Sequence, residues 1–303
     1  MSEREAPFAA GPHGLADAGR DVVGPMVLEA WDAFLEQAAG VDLSPPSRVP
    51  GWRALEICVH LGCWDDHTAL DDLVASARSG ARGPRPDTDA VNARVTAAHR
   101  DAPRAEVLAA LRRNRDATAR YLAQEPTELD IAPAVSVVGR LPLLGVVLGQ
   151  AYELAVHGLD LVSCGAAPPP APVLQSGLAA LTDVTGALAA SLGIDGRAAL
   201  AAPDGGWSFE AAAGAWTVRR LAPGHVEGPA VEAAADVLLE ASAGRVNPVP
   251  AVARGRLRVA EPAGLLRLAP IVRHVPGIPG GPVLQLAART MSGPVGLLGR
   301  LLR

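Results

Sequence analysis

A chain of 303 residues with 27 basic and 32 acidic side chains carries a net charge of −5, and only 3% of it is aromatic. That balance argues against nucleic acid, which asks for basic patches and rings on which bases can stack. Every basic residue is Arg, which removes a Schiff-base lysine and a P-loop lysine from consideration.

The length suggests about two domains, and a hydrophobic fraction of 49% is enough to fill their interiors. Arg, Asp, Glu or His interrupts every long apolar stretch before the roughly 18 to 20 uncharged residues of a membrane span are reached. The opening MSEREAPFAAGPHG has early acids and no apolar signal-peptide core. A cytoplasmic protein is expected, monomer or homodimer, with no membrane and no nucleic-acid partner. Cys58, Cys63 and Cys164 form neither an even disulfide framework nor a CxxC pair, which suits reduced thiols packed as small residues.

In chain order, residues 1 to 14 read as a loose arm. Apolar positions from Ala16 to Ala39 recur at helical spacing, and Pro25 is a candidate for the true start of that helix. After the proline-rich LSPPSRVPG, a second helix is expected from near Trp52 to about Ala77, and it carries His60. A polar stretch through Asn92 leads to a third, from Pro103 to Leu122, with Asp101 as its N-cap. A fourth runs from Leu143 to Ser163. Four such helices read as a bundle.

The tract CGAAPPPAP reads as a linker, followed by a helix from Val173 to Leu192. Beyond it, GRAALAAPDG, GWSFEAAA and AWTVRRLAPG read as antiparallel strands. GPAVEAAADVLLEASAG reads as an amphipathic helix with Val231, Ala234, Val237 and Leu238 on one side. RGRLRVAEP reads as a short strand, EPAGLLRLAPIV as a helix, and 283–303 as a helix broken near Pro294. The fold class is α+β overall: a helix bundle over 1–165, then a small α+β domain over 173–303.

The chemistry centres on His60, Glu153 and His157. Glu153 and His157 stand four apart in an apolar helical run, so their side chains leave one face about a turn apart. If His60 faces them, two imidazoles and a carboxylate converge as the ligand set of a divalent metal, most plausibly zinc with an open position. The bland alternatives are a surface ion pair or satisfied core polar residues. Charge is nearly absent around all three, and this favours convergence, because a lone buried carboxylate is costly. His67, seven residues after His60, is a candidate fourth ligand or base. Cys58 and Cys63 are weaker candidates.

The phrase VPGWRALEICVHLGCWDDH resembles the second-helix opening of the mycothiol-dependent maleylpyruvate isomerase family of DinB-like metal proteins. YELAVHGLDL resembles that family's E-x-x-x-H-x-x-D fourth-helix motif. The resemblance implies a DinB-like four-helix bundle binding a divalent metal, usually zinc, through His60, Glu153 and His157, followed by a sterol-carrier-like (SCP2-like) domain. It implies mycothiol as a thiol cosubstrate, activated at the metal, that isomerises an electrophilic small molecule or stays on it as a conjugate. Arg82, Arg94, Arg219, Arg220 and Arg256 are loop or strand cations that could reach an anionic ligand. Two other readings remain open. One is a DinB-like metalloenzyme working without a thiol, and the other a non-catalytic carrier of an apolar small molecule.

Overall fold

The computed structural model describes residues 13–80, 86–226 and 228–274. Helix α1, Arg20–Gly40, contains Pro25 but does not begin with it. Its first turn forms on the Gly19 carbonyl, which accepts from the N–H groups of Val22 and Val23 at 3.2 and 3.1 Å. The bond that Pro25 cannot donate would fall on the carbonyl of Asp21, an exposed residue open to water.

The expected single helix through His60 is two helices, α2 (Ala54–Leu61) and α3 (Ala69–Ser79). Helix α5, Arg104–Gln124, takes over the backbone groups at the break. The Cys63 N–H donates to Ala110 at 2.9 Å, Arg113 donates to the Cys63 carbonyl at 3.0 Å, and Asn114 to that of Leu61 at 2.8 Å. Thr68 then opens α3 through a capping box with Asp71.

Between α3 and α5 in sequence, α4, Thr88–Ala98, occupies what reads as polar connector. Its polarity reflects exposure, since none of its residues is buried. Asp101 does not cap α5; Pro103 holds the N-cap position without a side-chain bond. A small hairpin, β1 (Pro133–Ser136) and β2 (Gly139–Pro142), leads into α6, Leu143–Val162. Helices α1, α5 and α6 and the broken pair α2–α3 pack as four columns, with α4 against α2.

The second part is built on α7, Ala171–Ser191, which packs on α6 with one face and on the sheet with another. Gly177 permits the close approach to α6, because a Cβ there would stand 2.8 Å from that of Ala155. By length and composition α7 could cross a membrane, yet 72% of its most apolar window is buried inside the fold.

The expected strands are present as β3 (Gly196–Ala202), β4 (Gly205–Ala212) and β5 (Ala215–Leu221), joined as antiparallel hairpins. The segment read as a single helix from Gly228 instead gives β6, Ala230–Glu232, and then α8, Ala235–Ser242. The strand exists because Val231 pairs with Leu200 on one side and Val259 of β7 (Arg258–Ala260) on the other. Sheet order is β5-β4-β3-β6-β7, with β3 and β6 parallel.

Pro248 and Pro250 lie in the short helix α9, Pro248–Ala253, where Asn247 caps and Pro248 sits in the first turn. The expected helix from EPAGLLRLAPIV is α10, Pro262–Leu266, followed by a 3₁₀ turn. The expected helix over 283–303 lies outside the described residues.

One apolar cluster runs from Leu15 through both parts to Ile271. Asp183 of α7, a carboxyl only 2% exposed, bonds two members of that cluster, accepting from the Leu15 N–H and from Trp216 Nε1, each at 2.9 Å. Gly14 makes room for this contact in a left-handed conformation, φ +63°, where a Cβ would fall 2.0 Å from Asp183.

Burial pushes the Asp183 carboxyl up to about 6, against the pull of its two donors. A raised carboxylate means that the folded state holds the proton more tightly than the unfolded chain, so its contribution is greatest in acid and is lost as pH rises through about 6. Wild type relative to Asp183→Asn is therefore expected to lose up to about 3 kcal/mol between pH 4 and pH 6.5 and to level off above. Urea unfolding of the two proteins across that range measures the difference.

Candidate metal centre

Helix α2 ends at Leu61, and His60 in its last turn is turned toward α6. There it meets Glu153 and His157, one turn apart on the bundle-facing side of α6. One nitrogen or oxygen from each of the three residues lies within 4.8 Å of the others. Glu153 Oε2 is 3.9 Å from His60 Nε2 and 3.6 Å from His157 Nε2. The two imidazoles meet edge to face with centroids 5.3 Å apart. Their side chains are 16% and 8% exposed, whereas that of Glu153 is 50% exposed, so the group is walled by histidine and open on the glutamate side.

The far nitrogen of each imidazole is occupied. His60 Nδ1 pairs with Asn92 Oδ1 of α4 at 3.0 Å, and His157 Nδ1 with Asp160 Oδ2 at 2.9 Å. An amide oxygen and a carboxylate accept only, so each Nδ1 carries the proton and each Nε2 keeps its lone pair toward Glu153. This outer support fixes ring orientation and tautomer in the way metal-binding histidines require.

Asp160 is the anchor of that support. It is fully buried and accepts from Arg48 Nε at 2.7 Å and from Arg245 Nε and Nη2 at 3.0 and 3.1 Å, besides His157. Burial works to raise its carboxyl, but the hydrogen bonds from His157 and Arg245 outweigh it and hold Asp160 far below the ordinary range. Arg48 also pairs with Glu240 of α8. The second part of the chain therefore reaches the site through Glu240 and Arg245, and Tyr152 of α6 bonds Ser242 of α8 at 3.0 Å beside them.

The structure brings together all three residues singled out from sequence and sets the others elsewhere. His67 lies in the break between α2 and α3, its side chain 65% exposed and bonded to Asp72 at 2.8 Å. Only a helix continuous past Leu61 would place His67 on the face of His60, and the break between α2 and α3 removes it from that face. Cys58 is buried, with its thiol pushed up to about 12 by loss of solvent, and the Cys63 thiol bonds the Asp65 carbonyl. Arg94, Arg219, Arg220 and Arg256 are exposed, and Arg82 lies outside the described residues.

The arginines that matter are Arg48 and Arg245, which the sequence reading passed over, together with Asn92. Asp160 had a usable signal, three residues after His157 on the same helical face.

No curated protein matches the chain. Residues 26–162 match the mycothiol maleylpyruvate isomerase N-terminal domain. The chain is also similar to two solved structures. One is the mycothiol-dependent maleylpyruvate isomerase, 17% identical, covering 74% of this chain and 90% of that one at a TM-score of 0.46. The other is a histidine-to-alanine mutant of a mycothiol-dependent maleylpyruvate isomerase, 15% identical, covering 80% and 93% at a TM-score of 0.47. The matched residues, 26–162, include His60, Glu153 and His157 with Asn92 and Asp160, while Glu240 and Arg245 fall beyond them.

Removing Asp160 would leave two guanidinium groups facing each other without their shared anion. Asp160→Ala is expected to cost roughly 3–5 kcal/mol of unfolding free energy, and Arg94→Ala on the exposed face of α4 under about 0.5 kcal/mol. Urea titrations of the three metal-free proteins provide the comparison.

Proposed function

We propose that the chain is a metal-dependent enzyme of the cytoplasm that uses mycothiol to isomerise or conjugate an electrophilic small molecule, with His60, Glu153 and His157 holding a divalent cation, most plausibly zinc. The observation that carries this reading is the pairing of both Nδ1 atoms with acceptors, which leaves two Nε2 lone pairs and a carboxylate facing one point. Two neutral imidazoles and a carboxylate with one open side are the donor set of a catalytic zinc site. A cation bound there supplies positive charge that stabilises a thiolate at neutral pH.

The chain's own residues do the rest. Asn92 and Asp160 keep the imidazoles in the tautomer that can donate its lone pair. Arg48 and Arg245 hold Asp160 ionised, so it does not compete for the His157 proton. Glu153, half exposed, leaves the face through which a thiol and a substrate would enter. Trp52 lies beside both imidazoles, its ring centroid 5.5 Å from that of His60 and 6.3 Å from that of His157. The domain family, named for mycothiol and for maleylpyruvate isomerase, supports the thiol and the isomerase chemistry.

Elemental analysis of purified wild type beside His157→Ala tests the centre. About one zinc per chain is expected in wild type and under a tenth of that in the variant; equal metal in both would defeat the assignment. Turnover of an electrophile such as maleylpyruvate is then expected to require added mycothiol.

A further inference from the structure

Helix α4 buries no residue, yet its Asn92 supplies the acceptor for His60 Nδ1. Apolar burial therefore contributes little to its seat on α2. Asn92, Val95, Thr96 and His99, the half-buried positions between 91 and 100, recur at helical spacing and mark one face. At one end of that face Asn92 Oδ1 lies 3.0 Å from His60 Nδ1. Two turns on, at the C-cap, the His99 ring stacks on Trp64, with centroids 3.8 Å apart and planes 13° from parallel. The next residue is held as well, since Arg53 Nη2 donates to the Arg100 carbonyl at 2.7 Å.

Trp64 is itself fixed to the turn that carries His60. Its Nε1 donates to the Val59 carbonyl at 2.9 Å, and Gly62 leaves it space, because a Cβ there would stand 3.1 Å from that nitrogen. The stack thus joins α4 to the same end of α2 that Asn92 addresses. Because α4 is continuous from Asn92 to its C-cap, a shift at the stack is carried to the amide. Deprived of that acceptor, the His60 ring is free to carry its proton on Nε2, where Glu153 Oε2 stands 3.9 Å away as the alternative acceptor. An imidazole protonated there has no lone pair to give a cation.

We infer that His99 and Trp64 are positioning residues of the metal centre: their stack seats α4 so that Asn92 holds His60 with its Nε2 lone pair toward Glu153 and His157. The inference rests on the metal-dependent reading above and deepens it, by extending the support of His60 to two aromatic rings that act through the Asn92 amide.

Zinc affinity, read by competition with a chromophoric chelator, is expected to fall roughly 10- to 100-fold in Asn92→Leu. In His99→Ala the expected fall is about three- to tenfold, the scale of one aromatic stack. His99→Phe keeps a ring on Trp64 and is expected to stay within about twofold of wild type. The double variant Asn92→Leu/His99→Ala is expected to match Asn92→Leu, because His99 has no effect once the amide is gone. In the metal-free proteins at about pH 8, where imidazole is neutral, nitrogen NMR shifts of His60 are expected to report Nδ1–H in wild type and His99→Phe. A growing share of Nε2–H is expected in His99→Ala and Asn92→Leu.

Zinc affinity of His99→Ala within about twofold of wild type, losses that multiply in the double variant, or a His60 tautomer unchanged in His99→Ala would each overturn the positioning role. Were wild type to bind no zinc, the metal reading would fall, and the tautomer measurement would by itself decide whether the stack orients His60.

Discussion

A single carboxylate with no access to solvent holds the centre of this protein in place. Asp160 gathers an imidazole and two guanidinium groups that come from three separate stretches of chain. An ion buried so completely is tolerated only when its lone pairs are all answered. The need to answer them dictates where Arg48, at the end of the proline-rich connector, and Arg245, just past α8, must lie. The orientation of His157 follows from that arrangement, and the spacing of the group it shares with His60 and Glu153 follows in turn.

The second organising feature is α7, whose position between α6 and the sheet merges the two parts into one apolar interior. Its sequence is so poor in charge that it meets the length and composition of a membrane span, and its burial shows where that apolar surface goes. The one acid it carries inside, Asp183, ties the entrance of the chain at Leu15 to Trp216 of the sheet. Close packing around it leaves no room for a side chain at Gly14.

Much of this was readable from residues alone where the signal was local. The spacing of Glu153 and His157, the long periodic runs of α1, α5 and α6, and the partial alternation in β4 and β5 all report structure within one turn or one hairpin. What escaped the reading depended on partners far along the chain. The break after Leu61 exists because α5 claims the backbone of Cys63, and β6 exists because β3 and β7 flank it. Asn92 looked like connector because α4 buries nothing, although its amide meets His60. Arg48 and Arg245 are indistinguishable in composition from the other arginines, and only their convergence on Asp160 sets them apart.

The reach of Glu240 and Arg245 into the bundle bears on how such a protein could diversify. A histidine clamp whose outer brace is shared with another module cannot be lifted out and fused to an arbitrary new partner. Any replacement sheet unit would have to present a cation to Asp160 and an anion to Arg48 at the same points. The same unit would also have to supply a Trp at the place of Trp216, since that edge-strand side chain answers the buried carboxyl of Asp183.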